Sequence, residues 1–226
     1  MRQIDITPKR TLTETQAEGY PSRLYEGLKR QLYQQWVSYG LRRDLSVCHQ
    51  QPEARIPITV REYREQDQRA LFSLPPQQNT RNERLEIANR VALVAQSIPT
   101  CYVAVDTEHE TPCFVQWLMT HEHNETIQSF FRGRFPRLAH DEALLENAYT
   151  PPQYRGMGIM SCAMAMISEL AVSRGCRYVM TFVSRDNAAS LKGCARAGFE
   201  PFVVRRDTHA LFRMIRRRKF IPLEAG

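Results

Sequence analysis

Residues 153–159, QYRGMGI, carry the first chemistry legible in this sequence: an arginine and two glycines between a proline pair and an apolar, methionine-rich run. The first turn of any helix leaves backbone N–H groups without partners, and the helix dipole adds partial positive charge there. Glycines just before such a turn let an anion approach without Cβ atoms in the way, and Arg155 adds a cation suited to phosphate. Gly156 and Gly158 therefore admit three readings: a tight turn, a close packing contact, or a seat for a phosphate group. The stretch is not a P-loop, because no Lys-Ser/Thr pair follows. The G-x-G-x-x-G spacing also fails, because Ser161 stands where the third glycine would fall.

Other reactive side chains are less organised. The six cysteines, Cys48, Cys101, Cys113, Cys162, Cys176 and Cys194, show neither a C-x-x-C pair nor zinc-like spacing, and read as reduced thiols, mostly small core residues. His121 and His123 would share one face of an extended segment, but no third ligand is evident, so no metal is expected. The runs RMIRRRKF (213–220) and Arg205-Arg206 are strongly basic. They suit a solvated strand face, an acidic acceptor, a coenzyme phosphate or RNA. No nucleic-acid module signature accompanies them, so nucleic acid is not the expected partner.

These residues must be positioned by a chain of 226 residues with 42% apolar and 24% charged side chains and a net charge of +7. That suits one large domain, or one domain with an added arm, and favours anionic partners. No apolar run reaches the roughly 18–20 residues of a membrane span, and the first residues lack an apolar secretion core. The cytoplasm is the expected location.

The patterning alternates strands and helices. Leu24, Leu28, Leu32 and Trp36 predict an amphipathic helix from Ser22, with Gly40 as its C-cap. Strand 58–64 and a short helix over 65–74 follow. A longer helix over 79–98 would bury Leu85, Ala88, Val91, Ala92 and Ala95. Segments 100–107 and 113–120 form a hairpin, and 121–141 reads as a loop or short helix. Strand 143–150 then feeds a helix over 158–173, capped by Gly175. The nearly all-apolar segment 177–183 reads as a central buried strand. A helix over 187–197 and two closing strands complete an α/β (α+β) order.

At this point the chain resembles a family. Gln153-Tyr-Arg-Gly156-Met-Gly158 fits the Q/R-x-x-G-x-G/A motif of the GCN5-related N-acetyltransferase (GNAT) superfamily, and Asn187, followed eleven residues later by Gly198-Phe199, fits its second signature. Both stand in the family's order, across about residues 143–202, with a looser match back to about residue 57. The resemblance implies a GNAT-like mixed central sheet flanked by helices over 57–226. Residues 1–56, a polar segment and the amphipathic helix, are an added arm that packs on the domain, completes the acceptor site or forms a homodimer contact.

The family transfers an acyl group from acyl-coenzyme A to an amine. The resemblance therefore implies an N-acetyltransferase using acetyl-CoA and a small-molecule amine acceptor, by direct attack in a ternary complex. Two alternatives stand beside it: an N-acyl synthase taking longer acyl-CoA or an acyl carrier protein, and a non-catalytic coenzyme A- or RNA-binding protein. The implied coenzyme contacts are Gln153, the loop from Arg155 through Gly156, Met157, Gly158 and Ile159 to Met160, the backbone at Tyr149 and Thr150, and Asn187, which could equally be a helix N-cap. Lys192 and Arg196 would meet the 3′-phosphate. Glu146, an ionisable residue inside LLENAY, is the first candidate for the base that deprotonates the amine, or else a salt-bridged structural residue; His140, Asp141 and Glu142 are alternatives. Many family members carry a tyrosine where this chain has Cys194, which is then general acid, nucleophile or inert filler. If it is inert, Tyr149 or Tyr178 could protonate the leaving thiolate. Met157, Met160, Met164 and Met166 are either helix core or a wall for a longer acyl chain.

Overall fold

The computed structural model describes residues 33–73, 80–96, 98, 100–210 and 215–223. Its elements run β1 (Tyr33–Asp44), β2 (Ile58–Glu62), α1 (Asp67–Phe72), α2 (Arg81–Val94), β3 (Cys101–Asp106), β4 (Thr111–Thr120), α3 (Asn124–Phe130), β5 (Glu142–Tyr149), α4 (Ile159–Glu169), β6 (Tyr178–Ser184), α5 (Ala188–Arg196), β7 (Glu200–Ala210) and β8 (Ile215–Pro222). The eight strands form one mixed sheet in the order β2-β3-β4-β5-β6-β1-β7-β8. By contacts the chain divides into two units: Trp36–Arg206 with Arg218–Gly226, and Met1–Gln35 with Asp207–Arg217.

Both faces of the sheet are covered, which is why β3 and β4 read as nearly continuous apolar runs and are buried almost throughout. Phe114, Leu118, Leu145 and Val179 pack on one face with Ile159, Met164 and Ile167 of α4. Trp117, Met119, Leu144 and Met180 pack on the other with Leu71 of α1, Leu93 of α2 and Ile127 of α3.

The helix expected from Ser22 to Gly40 lies outside the described residues for 22–32, and residues 33–40 are strand instead. β1 runs antiparallel to β6, from Ser38↔Ser184 to Asp44↔Tyr178. Gly40 is not a helix cap: a Cβ there would overlap Val203 Cγ1 and lie 2.8 Å from the Phe182 ring. The buried positions of this strand include Ser38, Gly40 and Arg43 beside Leu41, so an apolar count misses its period. The buried Arg43 guanidinium bridges Glu169 at 2.5 Å and the Ala197 carbonyl at 3.1 Å, fastening β1 to the ends of α4 and α5.

Three smaller expectations are also corrected. The buried face of α2 is built on Arg90 and Leu93, and Leu85 and Ala88 are exposed, because Arg90 supplies the packing surface that an apolar count overlooks. The helix expected to reach residue 173 ends at Glu169, and a 3-10 turn (Val172–Arg174) leads to Gly175, whose φ of +76° does cap it. His121 and His123 lie in a 3-10 turn rather than an extended segment, and His123 Nδ1 accepts the Thr120 amide at 3.2 Å.

Gly40→Ala should destabilise the protein by about 1–3 kcal/mol, the usual cost of overpacking. The expected reading is a lower urea midpoint with an unchanged slope; an unaltered midpoint would show that β1 has room to shift.

Candidate functional site

The parallel ladder between β5 and β6 is short. It pairs Glu142↔Tyr178, Ala143↔Val179 and Leu144↔Met180, and then stops. Beyond it the strands part, and the Phe182 amide, which a continued ladder would engage, donates instead to Glu146 Oε1 at 3.0 Å. On its other edge β5 carries one extra residue against β4: Val115 opposes Tyr149 while Trp117 opposes Glu146. This bulge holds Asn147 at φ +62°, a left-handed conformation that Asn tolerates better than most residues, and it bends β5 away from β6.

The parting leaves a cleft of about 220 Å³ that reaches both faces of the sheet. Gln116 alternates with Val115 and Trp117 and so shares the face of Phe114 and Leu118. There it lines the cleft with Thr181, Cys194, Asn187 and Met160 and Met164 of α4. On the opposite face the walls are Arg90, Glu146 and Phe182. Arg90 Nη2 donates to the Ala148 carbonyl at 3.2 Å, and its guanidinium lies 4.7 Å from the centre of the Tyr149 ring.

Burial raises the Glu146 carboxyl to about 7, opposed by the Phe182 hydrogen bond and by the positive charges of Arg205 and Arg134. Burial, with the Glu146 charge adding to it, pushes the Cys194 thiol up to about 12. Tyr149 does not line the cleft: it is buried against Phe72 and beneath Arg90, with no partner for its hydroxyl among the described residues. Tyr178 sits where the two strands still pair, under the guanidinium groups of Arg42 and Arg177.

The loop that follows β5 separates the roles of its glycines. Gly158 caps α4 at φ +76°, and a Cβ on it would stand 2.9 Å from the Glu53 carbonyl oxygen. Arg55 donates its amide to the Met157 carbonyl at 2.8 Å, so the segment Glu53–Arg55 is laid along the loop. For Gly158 the turn and packing readings both hold. Gly156 also has positive φ, +80°, but among the described residues nothing lies within 4 Å of a Cβ built on it. The first helical bond of α4 runs from Cys162 N to Gly158 O, so the amides of Ile159, Met160 and Ser161 precede the ladder and face outward from the helix end. Gln153 and Arg155 are exposed, and Arg155 Nε is folded back onto the Thr150 carbonyl at 3.1 Å. Asn187 Oδ1 accepts the Ser190 amide at 3.1 Å, the N-cap of α5, while its side chain also borders the cleft. Lys192 and Arg196 are exposed on α5, outside the cleft lining.

The structure thus gathers Glu146, Met160, Asn187 and Cys194 around one cleft and leaves Tyr149, Gln153 and Lys192 out of its lining. Arg90 and Gln116 join the cleft from outside the sequence candidates. The signal for both was the one that drew notice to Glu146: a polar residue inside an apolar run, here NRVALV and CFVQWLM.

Residues 77–199 match the family model described as the acetyltransferase (GNAT) family. No curated protein matches the chain. Among solved structures it is similar to the GCN5-related glucosamine N-acetyltransferase region of a fungal multi-domain GH3 beta-N-acetylglucosaminidase, with 16% identity and a TM-score of 0.57, covering 84% of this chain and 23% of that one. It is also similar to a GCN5-related N-acetyltransferase from Sphaerobacter thermophilus, with 14% identity and a TM-score of 0.51, covering 90% and 58%. The chain therefore spans less than two thirds of the length of either structure.

The raised Glu146 carboxyl makes stability depend on pH in a defined direction. Because its folded value, about 7, lies above an ordinary carboxylate's, its contribution is full in acid and is lost as pH rises through about 7. Glu146→Gln keeps an acceptor for Phe182 and removes the enclosed charge. It should stabilise the protein at pH 8 by on the order of 1–3 kcal/mol and have almost no effect near pH 4, below an unperturbed carboxyl's own titration. Thermal unfolding at the two pH values checks this; equal shifts at both would show that the carboxylate is not enclosed.

Proposed function

The chain belongs to the GNAT acetyltransferase family, and on that footing we propose that it is an acyl-CoA-dependent N-acyltransferase which moves acetyl from acetyl-CoA to a small amine by direct attack. One observation carries this reading: the cleft between the parted strands β5 and β6 adjoins a helix N-terminus whose approach, at Gly156, is open. A thioester on a long, amide-bearing arm needs such a slot, with polar strand edge along the arm and an anion seat for its pyrophosphate.

The residues fit each part of that donor. The amides at the start of α4 and the bare Gly156 form the seat, with the dipole of α4 behind them. The edge of β5 from Asn147 to Thr150, which is not paired with β6, takes the arm as an added strand, its Ala148 and Thr150 carbonyls exchanging the Arg90 and Arg155 guanidinium groups for amides of the arm, and Asn187 borders the arm from α5 while capping its own helix. The acceptor enters from the opposite face, where Arg90, Glu146 and Phe182 line the cleft.

Glu146 is the base. A carboxyl poised near 7 is matched to proton transfer at neutral pH, and it reaches the amine directly or through one water. The positive charge of Arg90, Arg134 and Arg205 around it lowers the pKa of an incoming ammonium, whose unperturbed value is near 10 for a lysine-like amine, and so favours the free base. A backbone N–H at the β5 bulge stabilises the oxyanion. Cys194 is filler: a thiol held at about 12 is almost wholly protonated at pH 7, hence no nucleophile, and too weak an acid to protonate a thiolate of ordinary basicity. With Tyr149 turned into the core, the thiolate leaves without a dedicated acid.

Titration calorimetry should show micromolar binding of acetyl-CoA to the wild type. Gly156→Val should weaken it by about tenfold or more; equal affinities would return Gly156 to a mere turn. With an amine acceptor, kcat/KM should rise with pH through an apparent pKa near 7, and Glu146→Gln should lower kcat by about 10²–10⁴. Cys194→Ala should hold kcat within about threefold of wild type with no burst of free coenzyme. A burst in the wild type that this variant abolishes would make Cys194 the nucleophile.

A further inference from the structure

Gln116 is 1% exposed, and neither its Nε2 nor its Oε1 has a hydrogen-bond partner among the described residues. Such a group costs free energy in the folded state, and a methionine or leucine would fill the same place without that cost. The orphaned amide is not isolated, because it lines the cleft on the α4 face beside Thr181, Cys194, Met160 and Met164. In the β4–β5 register it falls between the pairs Val115↔Tyr149 and Trp117↔Glu146, level with the bulge. It therefore stands at the depth of Glu146, where the reacting carbonyl must lie. A donor and an acceptor kept unmatched at that depth point to a ligand that brings the complement.

We infer that Gln116 sets the acyl-group selectivity of the cleft, its carboxamide meeting the thioester carbonyl of a short acyl donor and excluding hydrocarbon chains long enough to reach it. This rests on the acyl-transfer reading above and adds the class of donor. The methionines of α4 would by themselves make an adaptable apolar wall suited to longer chains. Gln116 interrupts that wall: a methylene chain driven against it covers two polar atoms without pairing them, whereas an acetyl group ends before reaching that point. The amide donates a hydrogen bond and gives up no proton, so it selects and positions the donor and leaves the chemistry to Glu146.

The test is Gln116→Met, nearly isosteric and apolar, with Gln116→Leu as a second variant. Thermal unfolding without ligand is read beside calorimetric titration with free coenzyme A, acetyl-CoA and hexanoyl-CoA. The expected result has four parts: an unliganded Tm equal to or above wild type, unchanged affinity for free coenzyme A, acetyl-CoA weakened by about tenfold, and hexanoyl-CoA strengthened relative to it. An acetyl-to-hexanoyl ratio unchanged in both variants would overturn the inference. So would a lowered Tm with all three ligands weakened alike, since Gln116 would then be a structural residue. Wild-type protein that binds none of the three would remove the transferase reading itself, and the selectivity role with it.

Discussion

The structure depends on a ladder that ends early. Parallel strands held on both sides by a sheet have every reason to continue pairing, because each unpaired amide left in the interior carries a desolvation cost. Here β5 and β6 pair for only three residues before parting. Two features make the gap tolerable. The bulge at Asn147 bends β5 toward β4, and the carboxylate of Glu146 satisfies the stranded amide of Phe182. The residue proposed as base is thus also the clasp across the gap. Its structural and chemical readings are one arrangement, and the burial that makes it costly is the burial that brings its acidity to neutrality.

The remaining architecture keeps that gap open at a fixed width. Trp117, Met119 and Leu144 are fully buried on one side, and Leu118, Leu145 and Val179 on the other, so neither strand can swing to close it. β1 occupies the far edge of β6, where Gly40 lets Val203 and Phe182 approach and Arg43 ties the strand to both helices that flank the cleft. The partition of glycines follows the same logic. In the loop before α4, Gly158 serves the turn and the packing of Glu53, while Gly156 keeps open space.

Much of this was legible in the sequence, for identifiable reasons. The run 177–183 is apolar on both faces because β6 is central, and QYRGMGI with Asn187 and Gly198-Phe199 marks local geometry that residue type dictates. What could not be read rests on distant partners. Residues 33–44 bury Ser38, Gly40 and Arg43, whose reason to be inside lies in β6, β7 and the ends of α4 and α5. The face of α2 was misplaced because Arg90 counts as polar in a tally yet packs as an aromatic partner of Tyr149. Gln116 and Glu146 are the same kind of anomaly on adjacent strands, and only the register showed that they share one cleft.

The segment Glu53–Arg55 beside the glycine loop carries a consequence for how the chain acquires its site. The loop at 150–160 is completed by residues about a hundred positions earlier, and β1 can pair only after β6 exists. Long-range closures of this kind are slow and come late in folding. During synthesis β1 must wait, unpaired, until the chain through β6 has left the ribosome. The last contacts to form are then those that frame the cleft, so a nascent or truncated chain could hold most of its core and still lack a finished glycine loop. A finished cleft would in that case report that the chain from β1 through β7 has folded.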